Sequence, residues 1–206
     1  KRSKTELKDM QALIDNEGND FNLQAWDWWY YANKVKKEKY ALDDALLTPY
    51  LKMENVRAGA FDVAGKLFGI EFVKRNDIQV YHPDVEIFEV FETDGSHLGI
   101  FYSDYYPRDG KSSGAWMDSF RDQSNMGGNF ITPLVINVGN FAKPTADKPS
   151  LMTLGQVRTL FHELGHGLNW LFGNTTYSGS RDVPTDFVEL PSQIMEYWAV
   201  DPAILK

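Results

Sequence analysis

The stretch with the clearest chemical potential is FHELGHG at residues 161–167. Residues four apart lie on one face of a helix, so His162 and His166 could both direct an imidazole at one metal ion. Zinc accepts neutral imidazole nitrogens in four-coordinate sites. Glu163 lies about 100° further around the helix, beside such an ion rather than on it. The stretch therefore predicts a zinc site in which Glu163 takes a proton from metal-bound water.

The alternative is a solvated helix face with two histidines, since this five-residue pattern occurs by chance in many proteins. Two observations favour the metal site. The chain has four histidines, and half of them are here. The apolar neighbours would bury the helix, and polar groups on a buried helix need a partner. These neighbours are Phe161, Leu164, Leu168 and Leu171.

A zinc site needs a further protein ligand, and the next helix offers three carboxylates, Asp186, Glu189 and Glu196. Asp186 and Glu189 also have the spacing of a capping box, in which Glu189 would only bond backbone N–H groups. Pro191 is tolerated near a helix start, which agrees with an N-terminus close by. The residues alone leave Glu189 and Glu196 both open, seven positions apart on one face.

Two other catalytic signals compete with this site. Gly110-Lys111-Ser112 is not a phosphate loop, because position 105 is Tyr105 and not the required glycine. Residues 110–114 match the nucleophile elbow G-x-S-x-G, which would make Ser112 the nucleophile of a serine hydrolase. However, residues 107–109 separate Ser112 from the preceding strand, and the later histidines serve the metal site better. A surface loop is the simpler interpretation, and the serine hydrolase stays a remote alternative.

Three stretches of different pattern must position these residues, and together they predict an α+β fold, mainly α. Residues 1 to about 69 show helical periodicity. Residues 70 to about 140 predict a small antiparallel or mixed sheet. Residues 152–200 predict two zinc-binding helices separated by a loop, GNTTYSGSRDVP. Gly165 and Gly167 weaken the first of these helices intrinsically, and we interpret them as allowing close approach of the Glu189 helix.

Within the sheet region, EIFEVFE alternates acidic and apolar residues, as a half-exposed strand does. Asp94-Gly95 then separates it from HLGIFYSDYY and predicts a hairpin. ITPLVINVGNF indicates a more buried strand and EFVKRN an edge strand. In the helical region, the aromatic run of Trp26, Trp28, Trp29, Tyr30 and Tyr31 has helical spacing and is interpreted as core or helix–helix packing.

Composition limits the function classes. The chain has 206 residues, a formal net charge of −8 and no cysteine. The acidic balance argues against a nucleic-acid surface, and the lack of cysteine excludes disulfides and thiolate chemistry. No run approaches the length of a membrane span. The start, KRSKTELKDM, has no signal-peptide core and no initiating Met, so we expect a fragment of a longer protein whose targeting signal would lie outside it.

The two motifs together resemble the zinc-binding core of the thimet oligopeptidase family, the group of neurolysin, oligopeptidase A and bacterial peptidyl-dipeptidase. The matching stretches are FHELGHGL and DFVELPSQIMEYW. Upstream, YHPDV, FYSDYYPRDGK, GAWM and WDWWYYANKVKKEKY are similar to the peptidyl-dipeptidase branch in particular. The likeness covers essentially the whole chain and identifies it as a fragment of the catalytic region, a single piece over residues 1–206.

The resemblance implies a zincin-like core and one Zn²⁺ ion bound by His162, His166 and Glu189, with Glu163 as base. It resolves the ligand choice against Glu196. It leaves three residues as candidates for support around the site, namely Glu196, Gln193 and Asp186. Independently of the resemblance, and on composition only, the loop bounded by Gly110 and Gly114 is a candidate mobile flap near the substrate.

The implied activity is zinc-dependent hydrolysis of short peptides, with release of C-terminal dipeptides or, alternatively, endo-acting cleavage. The loop between His166 and Glu189 looks slightly short for the family. The family's C-terminal helices, which help to bind substrate, are not in this chain, so a non-catalytic zinc-binding piece is a further alternative. We expect peptide substrates as partners, no nucleic acid and no membrane, self-association through surfaces exposed by truncation, and a cytoplasmic or periplasmic location.

Overall fold

The computed structural model describes residues 2–41 and 44–204, and its contacts divide the chain into two compact units. The first unit is Lys1–Leu47 and the second is Thr48–Lys206. The boundary therefore falls inside the stretch that was expected to be one helical part, residues 1–69. None of the helices in the described ranges is both long enough and apolar enough to cross a membrane.

The first unit is a helical hairpin. Its elements are α1 (Arg2–Asn16), a 3₁₀ turn (Ala25–Asp27), α2 (Trp28–Tyr40) and α3 (Asp44–Leu47). Met10 and Ile14 of α1 pack against Tyr31 of α2 to form its small core. The stretch NEGND, residues 16–20, contains the turn that separates α1 from the rest of the hairpin.

The aromatic run at the start of α2 is not the core stripe that its spacing predicted. Tyr31 is buried and Trp28 packs against the small core. Trp26 and Trp29 are 81% and 76% exposed, and Tyr30 is 59% exposed. Helical spacing identifies residues that share an element, but α1 covers only one side of this helix, so the interpretation as packing is wrong for these three residues.

The second unit carries the sheet and the motif helices. Its helices are α4 (Met53–Phe68), α5 (Leu154–Leu171) and α6 (Glu189–Trp198). Its strands are β1 (Ile70–Arg75), β2 (Glu86–Glu92), β3 (His97–Asp104), β4 (Trp116–Arg121) and β5 (Leu134–Val138). Short 3₁₀ turns occur at Thr48–Tyr50, Met126–Gly128 and Ser178–Arg181. Helices and strands occupy separate stretches of this unit, which confirms an α+β arrangement.

The five strands form one mixed sheet in the order β1-β2-β3-β5-β4. Only β3 and β5 pair in parallel, and the other neighbours are antiparallel. The hairpin predicted at Asp94-Gly95 joins β2 to β3, with Gly95 at φ 83°. EFVKRN forms β1 at one edge, as predicted, whereas β4 at the other edge was missed. WMDSFR has no regular alternation of apolar and polar residues, because this edge strand is only partly covered.

The main core lies between one face of the sheet and the helices α4 and α5. Phe101 at the centre of β3 and Leu164 of α5 are completely buried. On α4, Phe61 stacks on Phe72 of β1 with ring centroids 3.9 Å apart. The apolar surface that is buried between α5 and the sheet holds α5 against β3, β4 and β5. The sheet is therefore the platform on which the FHELGHG helix rests.

Candidate metal centre

The helix α5 carries His162, Glu163 and His166 and is fixed at its start by a capping box. The Thr153 hydroxyl accepts from the Gln156 backbone N–H at 3.2 Å, and the Gln156 side chain accepts from the Thr153 N–H at 2.9 Å. These bonds satisfy donors that a helix start leaves without partners. The apolar face is buried, as its pattern predicted, through Val157, Leu160, Phe161, Leu164, Leu168 and Leu171.

His162 and His166 lie one turn apart and meet the carboxylate of Glu189 from α6. Glu189 Oε2 is 3.2 Å from the Nε2 atom of each imidazole. The three groups offer ligand atoms that all lie within 4.8 Å of one another. Two donors bound to zinc at about 2.1 Å in a tetrahedral site lie about 3.4 Å apart, so the observed spacing fits a zinc ion.

Glu196 contacts the other ring nitrogen of His162. His162 Nδ1 donates to Glu196 Oε1 at 2.7 Å. A carboxylate in its ionised form only accepts, so with a neutral imidazole this contact leaves the lone pair of Nε2 facing Glu189. In that form, two electron-rich atoms face each other at 3.2 Å, and a metal cation between them would stabilise this arrangement.

Burial favours the neutral form of His166 that can bind a metal. Burial lowers the pKa of His166, and the charge of His162 acts in the same direction, whereas Glu189 opposes it. The pKa of Glu189 is lowered, chiefly because the Ser192 hydroxyl donates to its Oε2 at 2.8 Å. Both shifts favour the forms that bind a metal, which are the neutral imidazole of His166 and the ionised carboxylate of Glu189.

The carboxyl of Glu163 lies in a drier environment than that of Glu189. Glu163 is 8% exposed, and burial raises the pKa of its carboxyl, while the charge of His162 lowers it and that of Glu189 raises it. A carboxyl with a raised pKa is a better proton acceptor near neutral pH than an ordinary one. This environment is suited to a general base.

The capping-box alternative for Glu189 does not form. α6 begins at Glu189, Val188 stands at its N-cap without a side-chain hydrogen bond, and Asp186 is exposed in the preceding turn. Gln193 is exposed one turn along α6 from Glu189. Of the three candidates for support, the structure thus brings only Glu196 into contact with the histidines.

The two glycines of FHELGHG face different neighbours. A Cβ atom on Gly165 would lie 2.6 Å from the Pro191 carbonyl oxygen and from Ser192 Cα. The predicted close approach of α6 is therefore confirmed at Gly165. A Cβ on Gly167 would instead meet the Asn137 side chain at 3.2 Å and Phe101 at 3.3 Å. Gly167 lets α5 approach the sheet, so the expectation that it faces α6 is wrong.

Ser192 is a site residue that the sequence interpretation missed. It is fully buried, and its hydroxyl oxygen is 2.8 Å from the Glu189 carboxylate and 2.9 Å from the Glu189 carbonyl oxygen, so its one proton is shared between these two acceptors. Its position three residues after a helix-starting glutamate was the available signal, because i and i+3 residues are neighbours on a helix.

The loop from Gly110 to Gly114 is anchored at its base. Lys111 Nζ lies within 2.9 Å of four acceptor oxygens, namely one of the Asp104 carboxylate and the carbonyl oxygens of Asp104, Tyr106 and Gly139. Asn140 Nδ2 donates to the carbonyl oxygens of Ser112 and Gly114. Both bounding glycines have positive φ, and Ser112 is exposed. These anchors oppose movement of the base of the loop, and a role as a substrate flap stays a prediction.

The metal group lies on an open surface. Glu189 is 50% exposed, and the two imidazoles are 24% and 15% exposed. A cavity of about 380 Å³ beside the loop includes Gly110 and Ser112, and a groove of about 670 Å³ lies against α4 and β1. Neither is lined by the three grouped residues. Substrate contacts around the metal group would have to come from its open side.

Comparison with known proteins gives a consistent picture. A family model described as "Peptidase family M3" matches residues 1–206. The chain is 46% identical over 206 residues to a dipeptidyl carboxypeptidase of Escherichia coli, covering 98% of this chain and 30% of the relative. It is 39% identical to oligopeptidase A of the same organism, covering 97% and 30%, and 35% identical to saccharolysin of Saccharomyces cerevisiae, covering 93% and 30%. The chain thus spans about 30% of the length of these relatives.

Proposed function

The chain belongs to peptidase family M3, and from this membership we propose that it is the zinc-binding, water-activating part of a peptidase with a zincin-like core. Its substrates are short peptides. The observation that carries the proposal is the convergence of His162 Nε2, His166 Nε2 and Glu189 Oε2 at the spacing of zinc ligands. Those three residues would hold one Zn²⁺ ion.

The role of each side chain follows from its surroundings. When held there, a zinc ion would lower the pKa of its water to about 7 and would polarise a peptide carbonyl. Glu163 takes a proton from the attacking water and returns it to the leaving amine. Glu196 holds the His162 ring with Nε2 turned to the site, and Ser192 holds Glu189 Oε2 in place. No covalent intermediate is needed, which suits a chain without cysteine.

Release of C-terminal dipeptides is the preferred mode of cleavage. A relative named dipeptidyl carboxypeptidase is 46% identical to this chain, whereas a relative named oligopeptidase A is 39% identical. Endo-acting cleavage is the alternative. Peptides with a free or an amidated C-terminus separate the two, since only an enzyme that recognises the free carboxylate loses activity on the amide. Mass spectrometry of the products then gives the bond that is cut.

A second candidate is a zinc-binding piece without activity of its own, because the chain spans only about 30% of its relatives. Peptide hydrolysis also needs donors aimed at the developing oxyanion, and loss of one costs about 10²–10³ in rate. Turnover of one fluorogenic peptide by the 206-residue chain, and by a longer chain that contains it, distinguishes the candidates at equal zinc content. The compartment, cytoplasm or periplasm, and self-association stay predictions.

Metal analysis together with a peptidase assay tests the proposal itself. We expect nearly one zinc ion per protein molecule. A His162→Ala, His166→Ala double variant should lose this zinc. Zinc content unchanged in that variant would refute the site. Ser112→Ala is the matched control, since a serine hydrolase would lose activity and the proposed peptidase would not.

A further inference from the structure

Asn137 is a polar residue at the centre of the layer between α5 and the sheet. It lies on β5, between Ser103 of β3 and Met117 of β4. Its side chain faces α5, because its Oδ1 is 3.2 Å from the point where a Cβ on Gly167 would stand. Val135, two residues earlier on the same face, places Cγ1 3.6 Å from the same point.

The amide of Asn137 has no hydrogen-bond partner among the residues that the structure describes. The residue is 0% exposed, and in the described part of the chain neither Oδ1 nor Nδ2 is bonded. The buried hydroxyl of Tyr105 also lacks a partner there. Burial raises the pKa of Tyr105, whereas the Arg57 charge and the Asn137 amide lower it. Tyr105 follows Ser103 by two residues, and Ser103 is the partner of Asn137 across the β3–β5 pair, so the side chains of Tyr105 and Asn137 lie on the same face of the sheet.

Such a pair of polar groups needs a small partner. Buried amides and hydroxyls without hydrogen bonds are costly and rare in native proteins. The amide offers two donors and an acceptor, and the hydroxyl offers a donor and acceptors. An internal water makes about three hydrogen bonds to groups of this kind. A leucine would fill the same space without this demand, so packing does not explain an asparagine here.

The position of the amide connects it to the metal group. Gly167 follows His166 directly and lies four residues after Glu163, on the same helical face. On the other side of this turn, Gly165 abuts Pro191 of α6. This turn of α5 therefore lies between α6 and the Asn137 amide. Its distance from the sheet determines where His166 stands relative to the other proposed metal ligands.

We propose that Asn137 is a positioning residue for the metal site. With the Tyr105 hydroxyl it holds one internal water beneath the turn of α5 that carries His166, and this hydrogen-bonded support fixes that turn relative to the sheet. The inference rests on the proposed function, because it assigns a role in shaping the zinc site.

Cobalt binding to the 206-residue chain tests the proposal, since the visible spectrum of Co²⁺ reports ligand geometry without needing peptidase activity. Asn137→Leu removes the polar group at similar volume, and Tyr105→Phe removes only the hydroxyl. We expect Asn137→Leu to weaken Co²⁺ binding about tenfold and to change the spectrum. Tyr105→Phe should act in the same direction by about threefold, since it removes only one of the two hydrogen-bonding partners.

Val135→Ala is the matched control, because it removes apolar contacts beneath the same glycine. It should lower the melting temperature and leave both the Co²⁺ affinity and the spectrum unchanged. If Val135→Ala changes them as Asn137→Leu does, packing supports the turn and the proposal is overturned. Should Asn137→Leu not fold, Tyr105→Phe decides alone, and unchanged binding in that variant refutes the proposal.

Failure of this inference differs from failure of the proposed function. If the unaltered chain binds neither Co²⁺ nor Zn²⁺, both fail. If it binds them and the Asn137→Leu and Tyr105→Phe variants bind equally well with the same spectrum, only the positioning role fails. A crystal structure should show an ordered water bonded to both side chains, and a dry pocket there would overturn the proposal.

Discussion

His162 Nδ1 donates a hydrogen bond of 2.7 Å to Glu196 Oε1, across the interface between α5 and α6. This contact fixes both the tautomer and the direction of the imidazole. It also gives the two carboxylates of α6 different partners, because Glu189 faces both Nε2 atoms while Glu196 reaches only the far side of one ring. The two residues should therefore differ in their effect on metal binding.

Glu189→Ala should weaken zinc binding more than Glu196→Ala. The first change removes a proposed ligand, whereas the second removes an outer partner of His162, which typically costs about 10–100-fold in metal affinity. Competition with a chromophoric chelator measures both affinities. Glu196→Gln, which keeps an acceptor for Nδ1, should recover part of the loss. If Glu196→Ala weakened zinc binding more than Glu189→Ala, Glu196 would be the ligand and Glu189 the outer partner.

Glu163→Gln should keep zinc and lose nearly all peptidase activity. The amide cannot accept a proton from water, and a general base contributes about 10²–10⁴ in rate. The measurement is turnover at equal zinc content, in a form of the protein that hydrolyses peptides. Near-normal turnover would show that another group is the base. Activity that survives a strong chelator would instead point to Ser112.

Gly165→Ala should destabilise the protein by about 1–3 kcal/mol despite the better helix propensity of alanine. The new Cβ would lie 2.6 Å from the backbone of Pro191 and Ser192, so α6 must move and carry Glu189 with it. Gly155→Ala, on the same helix, is the control. Within 4 Å, the one described atom that its Cβ would meet is Thr153 Oγ1, at 3.8 Å, and we expect no loss of stability there. Urea unfolding measures both, and equal stability of the two variants would contradict the close approach.

Asp104→Asn should remove an acid-dependent part of the stability. Burial alone would raise the pKa of Asp104, but hydrogen bonds from Arg108, Tyr81 and Lys111 hold it at about 2. Because this pKa lies below its usual value of 3.8, the stabilisation is present above pH about 4 and is lost as the pH falls towards 2. It amounts to at most about 2 kcal/mol.

Urea unfolding of the wild type and the variant at decreasing pH checks this expectation. The stability difference between them should be largest near neutral pH and should shrink below pH about 4. Asp77→Asn is the control, since the pKa of Asp77 is also about 2 but its side chain is 66% exposed, and exposed pairs contribute little. A constant difference between wild type and Asp104→Asn across the pH range would show that the charge of Asp104 does not matter.

Sequence patterns predicted those elements of the fold whose structure depends mainly on residues close together in the chain. The helix of FHELGHG follows from its apolar face, and the β2–β3 hairpin follows from Asp94-Gly95, because a turn with positive φ favours glycine. Strand β4 escaped prediction because an edge strand needs no regular alternation. The exposure of Trp26 and Trp29 depends on which side of α2 another element covers, and their spacing contains no such information.

The site shows the same limit. The spacing of His162 and His166 is a property of one helix, so the sequence could predict that both face one way. The choice between Glu189 and Glu196 depends on where α6 crosses α5, and that crossing is set by contacts of Gly165 with Pro191 and Ser192. Asn137 gave no signal at all, because a single polar residue in a buried strand looks like a minor break in the pattern.

Lys111 has a consequence for chemical labelling of this protein. Burial lowers the pKa of its ammonium group, and a lysine with a lowered pKa is normally the first to react with acylating reagents. Here the side chain is only 4% exposed, and its nitrogen lies within 2.9 Å of four acceptor oxygens. A reagent can reach it only when the loop at Gly110 opens. The rate of acylation at Lys111 would thus measure how often that loop opens. Acylation of the exposed lysines would depend only on the concentration of the reagent.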